Sequence, residues 1–185
     1  FRNDLRHLNT DSDSEVILNI FAHELQKINS ISPKADEIFL AVENMHKRLK
    51  GAYSIVLMIS GVGLLAIRDP NGIRPLIMGK KENDLLGKTD YMFSSESPAL
   101  DALDFEITGD LKPGEAVFVS LEGEMNRKVC HESPKHYPCI FEYVYLARPD
   151  AVIEEISVMK SRLRMGQKLG TVSYTHLRAH ETETN

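Results

Sequence analysis

Four groupings of residues in this chain have types and spacings that can do chemistry. The stretch Arg68-Asp69-Pro70-Asn71-Gly72-Ile73-Arg74-Pro75-Leu76 packs two arginines and an aspartate around a Pro-Asn-Gly turn. Proline pre-sets φ and Asn-Gly accepts positive φ, so a tight reversal is written into the backbone. The block reads either as a turn between buried strands, its arginines solvated or paired, or as the signature of a family. Ser12-Asp13-Ser14-Glu15 is most economically a helix cap, yet a cap carboxylate is also well placed to hold a ligand's ammonium group. His176 and His180 stand at i and i+4, which on a helix puts two imidazoles on one face for zinc. A metalloprotease needs Glu directly after the first of them, and Leu177 stands there instead, so no metal site is read. Cys130 and Cys139 form no Cys-x-x-Cys pair and read as inert thiols, since a nucleophile also needs a neighbouring base.

The elements that must position these residues follow from periodicity. Apolar residues at 17, 18, 21, 25 and 28 repeat at helical spacing, with Ser12 and Glu15 as a capping box. A second helix is expected from near Pro33, with Ile38, Ala41, Val42, Met45 and Leu49 as its apolar stripe and Gly51 as its end. From Ala52 the pattern changes. Tyr53 to Ile59 and Val62 to Ile67 are short apolar runs split by Ser60-Gly61, a hairpin of largely buried strands. Leu76 to Gly79 continues as strand, Lys80 to Asp90 reads as a surface loop, and Tyr91 to Ser94 as strand. Pro98 to Leu103 makes one or two helical turns, with Ser94 to Ser97 as their cap. Ala116 to Leu121 and Met125 to Cys130 are further strands. After the polar linker His131 to Pro138 comes Cys139 to Asp150, whose aromatics suit a strand or an interdomain seam, and Ile156 to Leu169 starts another helix. Two helices followed by antiparallel-looking strands make an α+β layered domain. The last stretch, Ser173 to Thr182, departs from the preceding pattern and resembles a translated adaptor sequence, so it is set aside from fold reasoning.

Composition excludes some partners. With 185 residues, 42% hydrophobic and 26% charged, the chain can bury a core of its own. Net charge is -5 and the basic residues are scattered among acids, so nothing favours nucleic acid. No apolar run is long enough to span a membrane, and Phe1-Arg2-Asn3-Asp4 is no signal peptide. Two cysteines make no disulfide framework, which points to a reducing cytoplasm. The chain opens on Phe1 in polar sequence with no strand before it, so it reads as a fragment.

Six blocks occur in a particular order: Asp13-Ser14-Glu15-Val16, Gly51-Ala52-Tyr53-Ser54, the Arg68–Leu76 block, Ser94-Ser95-Glu96-Ser97, Pro113-Gly114-Glu115, and Phe141-Glu142-Tyr143-Val144-Tyr145-Leu146-Ala147-Arg148-Pro149-Asp150. Together they resemble the amidophosphoribosyltransferases, a family of class II glutamine amidotransferases, from about Thr10 to Gly170. The arginine-proline block is shared with other class II amidotransferases; the aromatic stretch is more specific. Alternatives are an amidotransferase of the glucosamine-phosphate or asparagine synthetase type, or a non-catalytic scaffold module.

The resemblance implies an N-terminal-nucleophile hydrolase-type four-layer αββα sandwich, incomplete here, followed by the start of a phosphoribosyltransferase domain. It implies residues 1–138 as the C-terminal part of the glutaminase domain, 139–170 as seam and transferase start, and 171–185 as a non-native tail. In the family an N-terminal cysteine attacks the glutamine amide, its own α-amino group acts as base, and an Asn-Gly supplies the oxyanion hole. Ammonia then displaces pyrophosphate from phosphoribosyl pyrophosphate to give phosphoribosylamine, in purine synthesis. The nucleophile, the Asn-Gly and the arginine around glutamine would all lie upstream of Phe1. Asp13 matches the aspartate that holds the glutamine α-amino group. Arg68, Asp69, Gly72 and Arg74 are implied as structural signature residues that brace strands, and a buried Asp-Arg pair would account for their chemistry. Mg2+ would be bound by residues outside this chain. Cys139 matches an iron-sulfur ligand of one branch, but the wording of the chain resembles the branch without the cluster, so a free thiol is expected. The resemblance also implies a cytoplasmic homo-oligomer. Strands without partners would leave the isolated chain unstable or aggregating. The polypeptide beginning at Phe1 is expected to release no ammonia from glutamine; turnover in an ammonia assay would show that the nucleophile is not upstream.

Overall fold

The computed structural model describes residues 8–10, 12–30, 32–84 and 87–181, with side chains up to residue 172. Helix α1 (Asp13–Lys27) begins at Ser12, whose Oγ accepts from the Ser14 N–H at 3.3 Å. Glu15, the expected second arm of the capping box, turns away from Ser12. Its carboxylate accepts the backbone N–H groups of Asn9 and Thr10 at 2.8 and 2.7 Å, fastening the approach to the helix. Helix α2 (Ala35–Arg48) buries Ile38, Ala41, Val42 and Met45, the stripe its spacing predicts. The buried Glu24 carboxylate joins the helices, taking Arg48 at 2.7 Å and Lys27 at 3.0 Å.

The strands follow. β1 (Ser54–Ile59) and β2 (Gly63–Arg68) form the expected hairpin, with Ser54 opposite Arg68. β3 (Ile77–Asn83) and β4 (Lys88–Ser94) form another, followed by the short helix α3 (Ser97–Asp101) and β5 (Glu106–Asp110). β6 (Glu115–Ser120) and β7 (Met125–Val129) complete two antiparallel sheets, of order β1-β2-β6-β7 and β4-β3-β5. A π turn (Glu142–Leu146), the strand pair β8 (Val152–Ile153) and β9 (Ile156–Ser157), and helix α4 (Val158–Glu181) end the described chain.

The layers are set by the two-residue period of the central strands. Leu65, Ile67, Ala116 and Phe118 face α1 and α2 and pack with Phe21, Val42 and Met45. The alternate residues Ala66 and Val117 face the second sheet and meet Leu76, Met78 and Leu111. Strands buried on both faces read as continuous apolar runs, which is why β2 and β6 were legible.

Two further expectations change. Lys80 to Asp90 is not a loop: Lys81 pairs with Asp90, Glu82 with Thr89 and Asn83 with Lys88 along the β3–β4 hairpin, and the Gly87 N–H donates to the Asn83 carbonyl at 2.8 Å. Its charged residues lie on solvated arms of the ladder, so polarity there marks exposure and not absence of strand. β5, polar apart from Ile107, went unforeseen for the same reason. The aromatic stretch is no strand: the Ala147 N–H donates to the Glu142 carbonyl at 3.0 Å, an i to i−5 closure. Its aromatics are spaced by two, yet Tyr143 is buried while Phe141 and Tyr145 are exposed, so they share no face. The backbone of α4 runs on through the stretch set aside as foreign.

His46, in the last turn of α2, is buried and shares a 2.6 Å hydrogen bond between its Nδ1 and the Tyr53 hydroxyl. Burial, with His131 nearby, pushes its pKa down from 6.5 to about 4. The unfolded chain then binds a proton that the folded chain refuses, so this contribution is complete above pH 6.5 and is lost as pH falls through about 4. Urea titrations are expected to lose about 3 kcal/mol over that window from this group. His46→Gln, which cannot titrate, is expected to flatten that part of the profile; an unchanged slope would remove His46 as its source.

Candidate functional site

The site is built outward from the turn at the end of β2. Asp69 has 0% exposure, and its carboxylate takes three backbone N–H groups: Asn71 at 2.9 Å on one oxygen, Ile73 at 3.0 Å and Arg74 at 3.1 Å on the other. Its carbonyl accepts from the N–H groups of Gly72 and Gly114 at 3.0 and 2.9 Å. The aspartate therefore supplies the acceptors that this tight turn would otherwise lack. Gly72 has φ +58°, and a Cβ there would stand 2.7 Å from the Pro113 ring, so both conformation and space demand glycine.

Arg68 is buried as well. Its guanidinium donates to the carbonyls of Arg74 at 2.9 Å, Leu111 at 2.6 Å and Gly72 at 2.9 Å, and pairs with the Glu154 carboxylate at 2.7 Å. The expected Asp-Arg pair is thus replaced by two separate arrangements. Asp69 serves the turn's own amides, while Arg68 joins the turn to a segment far along the chain. Glu154 also meets His136 Nε2 at 2.8 Å, and its N–H donates to Asp110 at 3.0 Å. The polar linker is no free tether: Lys135, Tyr137 and Cys139 donate their N–H groups to the carbonyls of Pro70, Asn71 and Ile73. Arg74 extends to the buried Glu142 at 2.8 Å. Each arginine of the block therefore holds an acid from the C-terminal stretch.

Beside the turn lies a cleft of about 520 Å³. The first turn of α1 forms one wall, with Asp13, Ser14 and Ile17, and β1 with Tyr53 and Ser54 forms another. Arg74, Pro75 and Ser95 also line it. Asp13 is exposed, and the cap itself is made by Ser12, so the Asp13 carboxylate is not needed for that duty. The cleft thus carries an acid from α1 and a cation from the arginine block, with apolar and hydroxyl groups around them. That arrangement suits a small molecule bearing an ammonium group. Of the residues singled out in the sequence, Asp13 and Arg74 come together here, whereas Arg68, Asp69 and Gly72 stand behind as scaffold. Tyr53, Ser54, Ser95 and Glu142 were visible only within motif blocks, and Glu154 carried no local signal at all, because its partners lie far away in sequence.

A second hollow of about 340 Å³ lies beside Cys130, Glu43 and Lys47. Burial, with Glu43 adding to it, pushes the Cys130 thiol up to about 12, so it is a poor nucleophile at neutral pH. Cys139 is a half-buried free thiol. Among the described residues no cluster of three or more His, Cys, Asp or Glu is placed to hold a metal ion. The side chains of His176 and His180 lie outside the described residues.

Asp69→Ala would strand three amides in a fully buried turn. The expected loss is about 3 kcal/mol or more in urea unfolding, with Asp69→Asn intermediate because one acceptor oxygen remains. An unchanged midpoint for Asp69→Ala would mean the turn finds its acceptors elsewhere.

The family model described as a glutamine amidotransferase domain matches residues 1–102. The amidophosphoribosyltransferase of Pseudomonas aeruginosa is 51% identical over 169 residues, covering 91% of this chain and 33% of that protein. The Escherichia coli amidophosphoribosyltransferase is 49% identical over 92% of the chain and 34% of its own length. The chain thus spans about a third of the length of these relatives. Among solved structures, a glutamine phosphoribosylpyrophosphate amidotransferase from B. subtilis, complexed with ADP and GMP, superposes with a TM-score of 0.67 at 30% identity, covering 85% of this chain and 31% of that one. A structure described as the allosteric regulatory enzyme of purine biosynthesis gives a TM-score of 0.66 at 30% identity, with 85% of this chain and 30% of that one covered. These likenesses bear out the α+β, N-terminal-nucleophile hydrolase-type fold expected from the sequence. With its family model matched across more than half its length, and its acid-bearing cleft beside the arginine block, the chain belongs to the glutamine amidotransferase domain family.

Proposed function

We propose that this chain is part of an amidophosphoribosyltransferase and that its cleft binds glutamine. The observation that carries the reading is the position of Asp13: an exposed carboxylate at the start of α1, lining a cleft large enough for an amino acid. Its partner is the α-ammonium group of glutamine, held by a charge-assisted hydrogen bond. The relatives' names support the rest of the assignment. On this reading an N-terminal cysteine outside the chain attacks the glutamine amide, and the released ammonia displaces pyrophosphate from phosphoribosyl pyrophosphate. Residues 1–138 then form the C-terminal part of the glutaminase domain, and 139–170 lead from it into the transferase. Residues 171–185 are a non-native tail. Mg2+ is held by residues outside this chain, and Cys139 serves as a free thiol. The working enzyme is a cytoplasmic homo-oligomer.

The scaffold role of the turn follows from its chemistry. Arg68 and Asp69 spend their hydrogen bonds on backbone groups and on Glu154, which leaves them nothing to offer a substrate. Their work is to hold β1, Arg74 and Pro75 in place beside Asp13.

In the enzyme that carries this chain, Asp13→Asn is expected to raise the KM for glutamine by roughly 10- to 100-fold, the size of a lost bond to a charged group. Synthesis driven by added ammonia is expected to continue at the unmodified rate. Equal loss of both activities in steady-state assays would make Asp13 a structural residue of the helix start.

A further inference from the structure

Arg74 belongs to two places at once. It lines the cleft next to Pro75 and Ser95, and its guanidinium pairs with Glu142 at 2.8 Å. The Arg74 side chain is 43% exposed and that of Glu142 only 7%, so one end of the pair is wet and the other is buried. Glu142 opens the π turn, whose Tyr143 and Ala147 pack in an apolar cluster with Ala151, Ile153 and Val158. Burial pushes the Glu142 carboxyl upward, Arg74 opposes this and Glu96 adds to it, and Arg74 is the cation placed against that buried carboxylate. The same segment has a second tie to the cleft wall: the Arg148 N–H donates to the Glu96 carboxylate at 2.9 Å, next to Ser95.

We propose that the Arg74–Glu142 pair is a positioning link, through which a ligand filling the cleft tightens the 139–147 segment and through which that segment fixes the cleft wall. The inference rests on the reading of the cleft as the glutamine site. A ligand against the exposed flank of Arg74 displaces water from it, and the attraction between two charges grows as the effective dielectric falls. The π turn is then held more firmly through Glu142 without any contact to the ligand. Linkage makes the effect reciprocal: whatever loosens the segment weakens ligand binding by the same factor.

The test is backbone hydrogen exchange at residues 142–147 in the enzyme that carries this chain, with and without saturating L-glutamine. Glutamine is expected to slow exchange there by about five-fold or more. Glu142→Gln is expected to abolish that response and to raise the KM for glutamine more than it lowers kcat. Arg74→Met is expected to do the same, and Arg74→Lys to restore part of the response, a rescue that depends on charge. Exchange at 142–147 that ignores bound glutamine, or a Glu142→Gln enzyme that responds as the parent does, overturns the link. A glutamine KM left unchanged by Asp13→Asn refutes the cleft as the glutamine site, a separate failure from that of the link.

Discussion

An arginine side chain with 2% exposure must find acceptors inside the protein, and much of this structure is arranged around providing them to Arg68. Three carbonyls, from Gly72, Arg74 and Leu111, and the Glu154 carboxylate converge on one guanidinium. To bring those groups together, the chain must turn tightly after β2, approach again before β6, and return a third time at the β8–β9 pair. A buried ion pair adds little net stability over apolar packing, but breaking one leaves a stranded charge. Its effect is to make alternative arrangements costly, and here those alternatives would displace the strand that walls the cleft.

Asp69 does the complementary work. A turn that reverses within a few residues leaves amides pointing inward, and one carboxylate collects three of them. With the turn so held, the Asp69 N–H donates to the Tyr53 carbonyl, which ties the block to the start of β1. The cleft beside Asp13 is thus shaped by residues that do not enter it. The arginine-proline block is a buried framework from which Arg74 reaches the cleft.

Much of this was legible in order along the chain. The helices announced themselves by stripes such as Ile38, Ala41, Val42 and Met45, and the central strands by unbroken apolar runs, because burial on one or both faces leaves a period in the sequence. Asp13 stood out through its motif, and the structure puts it on the wall of a cleft. Where polarity stood in for exposure the reading failed: the β3–β4 arms and β5 are paired strands whose side chains face water. The aromatic stretch misled in the opposite sense, since its alternation matched a strand while its backbone closed into a π turn.

What the sequence determined by itself, then, was the family and those local conformations that burial or backbone chemistry marks: helical stripes, apolar strands, a glycine where φ is positive, and six ordered blocks. Only the tertiary structure decided the partners. Arg68 and Asp69 are adjacent in the chain and read as a pair, yet Arg68 bonds to carbonyls of the turn, to Leu111 and to Glu154, while Asp69 takes the amides of the turn. Arg68 ends β2 and Asp69 opens the turn that follows, so these sequence neighbours meet different surroundings. Which surroundings those are is set by residues tens of positions away, and no local pattern carries that information.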